Sequence, residues 1–185
     1  FYEMFFEDAK IASRELELVL TGKSCGQDER APMCGIPYHA AENYIAKLVA
    51  KGYKVAICEQ TEDPATAKGL VKRDIIRIIT PGTVTDASML EEGRSNYLAS
   101  IYIDGGKGGA AFCDISTGEF CTAAFDSDIV SHILNELTRF SPREAVLNVG
   151  AAKHDDICEF LTKRLGCMIE LGSEDFEFMP SAARV

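Results

Sequence analysis

No run of 18 or more apolar residues occurs in this 185-residue chain, so no helix in it is long and apolar enough to span a membrane. No signal peptide is visible, and the chain does not open on Met. It opens inside an apolar, helix-like pattern, which reads as a segment of a longer polypeptide. No Cys-x-x-Cys pair exists among the seven cysteines, at positions 25, 34, 58, 113, 121, 158 and 167, and their number is odd. Cys58, Cys113, Cys121 and Cys167 sit in apolar strand-like runs, where a free thiol packs as a small hydrophobe. That usage suits a reducing cytoplasm, and no ligand spacing marks a structural metal site. A phosphate-binding loop is also missing. Gly22-Lys23-Ser24 has the right ending, but Glu17 stands where the first glycine is required. Internal repeats and low-complexity segments are absent.

Basic charge is scarce. Nineteen Lys and Arg face 29 Asp and Glu, for a net charge of −10. A cut after residue 92 leaves 11 basic against 15 acidic residues before it, or −4, and 8 against 14 after it, or −6. DNA binding usually leans on a basic surface, so a nucleic-acid role here needs a local patch and specific contacts.

The length fits one large domain or two small ones. Phe5, Ala9, Ala12 and Leu16 recur at helical spacing, which predicts a helix over residues 2–13. Residues 16–21 read as a strand and 22–31 as a polar loop. Pro37 biases Ile36 away from helix, so 33–38 runs extended. Ala41, Tyr44, Ile45, Leu48 and Val49 make one helical stripe over 39–51, closed by Gly52. Residues 54–59 read as a strand with a buried run at Val55, Ala56, Ile57 and Cys58, and 74–80 as a second strand dense in isoleucine. A polar stretch at 86–96 marks the expected boundary between domains 1–92 and 93–185. Beyond it, 97–103, 109–115 and 119–125 read as three strands joined by glycine turns. A helix over 127–140, a strand at 145–149, a helix over 155–165 and a strand at 167–171 follow. The fold class is α/β (α+β), and the second half has the element order of a ribonuclease-H-like fold.

Three blocks carry more together than singly. The first is Phe1-Tyr2-Glu3, running into Met4-Phe5-Phe6-Glu7-Asp8-Ala9-Lys10. The second is Pro32-Met33-Cys34-Gly35-Ile36-Pro37-Tyr38-His39-Ala40, with Glu42-Asn43-Tyr44 after it. The third is Ala56-Ile57-Cys58-Glu59-Gln60, with Asp63-Pro64-Ala65-Thr66 behind it. Taken singly, each has a plain reading. Phe1 and Glu3 are then a core ring and a surface carboxylate at a helix mouth, where negative charge favours the dipole. His39 is then a core histidine in a rigid turn. Lys23, Lys68, Lys72, Arg73 and Arg77 are then solvated faces, with Lys72-Arg73 the best cluster for positioning a phosphate. Asp104, Asp114 and Glu119 keep a metal-dependent nuclease open as an alternative, because ribonuclease-H-like nucleases hold two metals with carboxylates on these strands. A protein-interaction module is the other alternative.

Together the blocks resemble the amino-terminal part of the MutS family of DNA mismatch repair proteins, closely over 1–83 and more weakly beyond. The resemblance implies a mixed-sheet mismatch-binding domain, then a ribonuclease-H-like connector domain that is not catalytic. It implies that Phe1 stacks on DNA, that Glu3 bonds the mispaired base, and that Lys23, Met33 and Arg73 approach backbone or groove. Lys68 and Lys72 are further DNA-binding candidates, and Lys23 stands where family members often carry Arg. The implied partners are double-stranded DNA with mismatches or small loops, the repair protein MutL, and a second copy joined through domains outside this chain. ATP and Mg²⁺ would be held by an ATPase domain outside it, so no cofactor and no enzymatic activity are expected here. The expected location is the bacterial cytoplasm, at the nucleoid.

The physics of such a site is specific. An aromatic ring entering from the minor groove unstacks one base step and kinks the duplex, at a cost of a few kcal/mol. Faulty pairing lowers that cost, so the wedge favours mismatches by mechanics rather than by base identity. A protonated Glu3 donates to a purine N7, and an ionised one accepts from a thymine N3–H. One side chain thus serves several mismatches.

Overall fold

The computed structural model describes residues 1–24, 26, 30–63 and 69–172. The chain divides into two compact units, Phe1–Thr80 and Pro81–Val185. The first begins with strand β1 (Tyr2–Phe5) and helix α1 (Phe6–Leu16), then β2 (Thr21–Lys23) and β3 (Ala31–Ile36). A single 3-10 turn at Tyr38–Ala40 leads into α2 (Ala41–Ala50), followed by β4 (Val55–Gln60) and β5 (Arg73–Ile79). Strands β1, β3 and β2 form one antiparallel sheet in that order, and β4 pairs with β5 as an antiparallel ribbon.

The helix expected over 2–13 therefore starts as a strand. Met4-Phe5-Phe6 is apolar enough for either, and pairing of residues 2–5 with residues 33–36 decides for the strand. The chain turns at Phe6, whose φ of 52° is left-handed, and only then becomes helical. Ala9, Ala12 and Leu16 face inward from α1 and pack with Cys34 of β3 and Leu48 of α2. The strand expected at 16–21 is also displaced. The Leu18 N–H closes the end of α1 on the Ser13 carbonyl at 2.9 Å, so strand pairing starts only at Thr21. In β4 the expected buried run is instead an alternation. Ala56 and Cys58 face solvent, because a two-stranded ribbon covers at most one of its own faces. Ile75, Ile76 and Ile78 of β5 are more than half exposed.

The second unit holds β6 (Tyr97–Asp104), β7 (Lys107–Asp114), β8 (Glu119–Phe125), α3 (Ile129–Phe140) and β9 (Glu144–Leu147). After these come α4 (Val149–Ala152), α5 (Asp155–Glu159), a wider π turn at Phe160–Arg164, and β10 (Met168–Leu171). The sheet order is β10-β9-β6-β7-β8. Strands β6, β7 and β8 are antiparallel neighbours, while β9 and β10 run parallel to β6. This is the mixed, ribonuclease-H-like order read from the sequence. Helices α3 and α5 supply Ile133, Leu137 and Ile157, which are fully buried over Ala99, Ile101, Phe112 and Leu147. Each such side chain contributes about 1.5–3 kcal/mol by leaving water.

The structural division falls at Thr80 and Pro81, ahead of the polar stretch expected to be the boundary. The reason is local. The Gly82 N–H donates to Glu144 Oε2 at 2.9 Å, and Asn96 Nδ2 donates to the Pro81 carbonyl at 2.9 Å. A Cβ on Gly82 would lie 2.7 Å from that of Glu144, so only glycine lets this backbone lie so close. Asn148, between β9 and α4, works similarly. Its Oδ1 accepts from Ile103 N at 3.0 Å and Ala151 N at 2.9 Å, while Nδ2 donates to the Ile103 carbonyl at 3.1 Å. One amide thus caps α4 and satisfies the end of β6.

Asp114 is buried at the end of β7 and accepts from Ser116 N at 2.9 Å, Ser116 Oγ at 2.6 Å and Asn96 N at 3.0 Å. Burial pushes its carboxyl up, but the bonds from Ser116, Asn96 and Thr117 outweigh it and hold it below the usual aspartate range. The resulting stability is present above the ordinary value and is lost as pH falls through the lowered one. Asp114→Asn is expected to cost about 1–3 kcal/mol at neutral pH and to flatten the acid limb of a denaturation-against-pH curve.

Candidate nucleic-acid interface

Antiparallel register places Glu3 opposite Gly35, Phe5 opposite Met33, and Met33 opposite Thr21. Residues directly opposite share a sheet face, and so do residues two apart along a strand. Glu3, Phe5, Met33, Thr21 and Lys23 therefore lie on one face of the β1-β3-β2 sheet. Phe1 joins them: a Cβ built on Gly35 would lie 3.9 Å from Phe1 Cδ1 and 4.0 Å from Glu3 Cγ. The opposite face carries Cys34 and Met4, which pack on α1 and α2. Strand geometry matters here. On a helix, Phe1 and Glu3 would point in widely different directions; on a strand they point the same way.

Lys23 Nζ donates to Glu3 Oε2 at 2.6 Å and lies 5.5 Å from the centre of the Phe5 ring. The two side chains of the pair are 48% and 36% exposed, so the bridge contributes only about 0–1 kcal/mol. Thr21 Oγ1 donates to the Met33 carbonyl at 3.0 Å, tying β2 to β3 beside it. Phe1 itself is 86% exposed.

Tyr2 faces away from this surface. Its ring stacks on Tyr38 at 5.5 Å, and its hydroxyl donates to Glu59 of β4. The bond to Glu59, burial, and the charges of Glu59 and Tyr38 push the phenol up to about 12. A phenol raised in this way stabilises the fold below its ordinary value and loses that contribution as pH rises through about 12. Ultraviolet titration is expected to show one tyrosine ionising last, and Tyr2→Phe is expected to remove that late step.

Lys72 and Arg73 belong to the β4–β5 ribbon, where Glu59 pairs with Asp74 and Gln60 with Arg73. The Tyr2–Glu59 bond ties that ribbon to β1. Lys72 Nζ pairs with Asp74 at 3.1 Å, and Arg73 Nη1 donates to the Val71 carbonyl at 3.1 Å. Both are exposed, as is Arg77. Lys68 and the Pro64-Ala65-Thr66 part of the third block lie outside the described residues. Of the expected site residues, then, Phe1, Glu3, Lys23 and Met33 come together on one face, while Lys72 and Arg73 sit on another element. His39 is exposed rather than a core histidine, because the 3-10 turn carries it to the surface.

The nuclease alternative finds no cluster. Asp104 opens the β6–β7 turn, while Asp114 lies at the far end of β7 and is fully engaged by hydrogen bonds. Seven residues of extended strand separate the two ends, about 24 Å. Glu119 is near Asp114 but accepts from the Tyr97 hydroxyl at 2.7 Å. Among the described residues no three His, Cys, Asp or Glu side chains are grouped so as to hold a metal ion.

The family model described as MutS domain I matches residues 1–88, and the one described as MutS domain II matches 96–178. The chain belongs to the MutS family. A DNA mismatch repair protein MutS of Acetivibrio thermocellus is 56% identical over 177 residues, covering 95% of this chain and 20% of the relative. A DNA mismatch repair protein MutS of Clostridium botulinum type Ba4 is 61% identical over 147 residues, covering 80% of this chain and 16% of the relative. The chain thus spans a fifth or less of the length of the curated relatives it matches. In MutS terms the surface built by β1, β3 and β2 lies in domain I, and the ribonuclease-H-like sheet lies in domain II. Among the described residues no helix is long and apolar enough to cross a membrane.

The sequence alone did not reveal the Glu3–Lys23 pair, the Phe5 ring beneath Lys23, or the place of Gly35 under Phe1. The alternation Phe1-x-Glu3-x-Phe5 was the available signal. It is a strand signature inside a stretch whose helical spacing starts at Phe5.

Proposed function

We propose that the first unit recognises mismatched DNA as part of a longer MutS polypeptide. Phe1 wedges into the weakened base step, and Glu3 hydrogen-bonds the base that is displaced. Lys23 and Met33 meet the backbone or groove at the same face, and Lys68, Lys72 and Arg73 hold phosphates. What supports this reading is the gathering of Phe1, Glu3, Lys23 and Met33 on the sheet face turned away from Cys34 and Met4, which pack on the helices, with Phe1 itself 86% exposed. A folding role does not account for an aromatic ring and an ion pair placed there. The net charge of −10 works against non-specific binding, so affinity must come from the kinked, faulty site itself.

The second unit, on this reading, is a connector and not a nuclease. It relays the bound state of domain I to an ATPase domain outside this chain, which holds ATP and Mg²⁺, and it is where MutL meets the protein. Pairing with a second copy runs through outside domains as well.

Competition binding between a G·T-mismatched and a matched duplex, at several salt concentrations, tests the reading. Tighter binding of the mismatched duplex is expected. Equal affinities at low salt would leave only a protein-interaction role.

A further inference from the structure

Glu3 and Lys23 sit on the two outer strands of their sheet, with β3 between them. Lys23 stands level with Ala31 and Glu3 level with Gly35, so the pair runs diagonally across the face, past Met33. Lys23 reaches Glu3 at 2.6 Å with its ammonium 5.5 Å from the centre of the Phe5 ring, and the Phe1 ring and the Glu3 stem rest above the bare Cα of Gly35. The pair therefore links two residues that recognition would send to different targets, one to a base and the other to a phosphate.

We propose that Lys23 is a positioning residue for Glu3. It holds the carboxylate beside Phe1 in the free protein and is exchanged for a DNA phosphate as Glu3 takes the displaced base. This rests on the reading under Proposed function. The reasoning is electrostatic. A bare carboxylate approaching a duplex is repelled by phosphates, and an ammonium in contact with it cancels that repulsion during approach. Both side chains are partly exposed, so the pair is weak enough to open once a better acceptor arrives. A phosphate is that acceptor for Lys23, and the base N–H is the donor that Glu3 gains.

A double-mutant cycle in the full-length protein tests this, using wild type, Lys23→Gln, Glu3→Gln, the double variant and Lys23→Arg. Affinities for G·T-mismatched and matched duplexes are measured for each, with thermal midpoints to confirm folding. Lys23→Gln leaves Glu3 uncompensated before the phosphates and is expected to weaken binding. Opening the Glu3–Lys23 pair is a cost of binding that each single variant already escapes, so the double variant is expected to bind about threefold more weakly than the product of the single effects. Lys23→Arg, which restores the cation, is expected to return mismatch preference to wild type. Single effects that multiply to within about twofold, with matched and mismatched duplexes weakened alike, would show Lys23 to be a phosphate contact only and overturn the proposal. A wild-type protein with no mismatch preference, or a Phe1→Ala variant that keeps it, would sink the recognition reading itself, and this proposal with it.

Discussion

Phe1→Ala is expected to abolish the preference for mismatched over matched DNA while leaving the fold unchanged. A base stacked on an aromatic ring is worth about 1–3 kcal/mol, so affinity for a mismatched duplex should fall between roughly fivefold and a hundredfold. Affinity for a matched duplex should barely change, because an intact base step resists the wedge and gains little from it. Stability should stay within about 0.5 kcal/mol of wild type. Phe1 precedes the paired residues of β1, is 86% exposed, and lies outside the hydrophobic cluster of its unit. Competition binding gives the first result and thermal melting the second. A loss of affinity equal on both duplexes would mean that the ring contributes area and not discrimination.

The largest stability effect is expected in the second unit, at Gly150. Helix α4 comes so close to β6 that a Cβ on Gly150 would lie 1.8 Å from the Ile103 carbonyl oxygen and 3.0 Å from its carbon. The obstacle is backbone, and it cannot rotate away. It is also held in place, because Asn148 bonds both the N–H and the carbonyl of Ile103 while capping the helix that carries Gly150. Gly150→Ala must push α4 off the sheet or break that clamp. Overpacking of this kind costs about 3 kcal/mol or more, which lowers the melting temperature of a unit this size by more than about 10 °C. Gly109→Ala is the matched control. Its Cβ would meet the Ala123 carbonyl oxygen at an ordinary 3.4 Å, so a change within about 0.5 kcal/mol is expected. If both variants melt alike, the close approach of α4 to β6 is not real.

The second unit was readable because its signals agree at every level. Strands β6 to β8 alternate, glycines with positive φ at 105, 106 and 118 sit at the turns, and α3 carries a clear apolar stripe. The first unit was harder. The apolar run from Phe1 to Phe6 satisfies both periodicities, and only a partner distant in sequence, residues 33–36, makes it a strand. The same tertiary choice makes the site. Once β1 is extended, Phe1 and Glu3 share a face, and Lys23 falls into range from another strand. The identities of those residues could be named from the sequence, but the ion pair between two of them could not, since it depends on the register in which three strands distant in sequence pair. In β4 an apolar run suggested burial, yet Cys58 is exposed, because composition alone does not tell how many faces of a ribbon are covered.

The claim beneath all of this is that the β1-β3-β2 face meets DNA at the mismatch. Photocrosslinking tests it directly, with 5-iodouracil as the mispaired pyrimidine and the crosslinked peptide sequenced. Attachment at Phe1, lost on a matched duplex carrying the same base, is the predicted result. Attachment in the second unit, or equal yields from matched and mismatched duplexes, would contradict it.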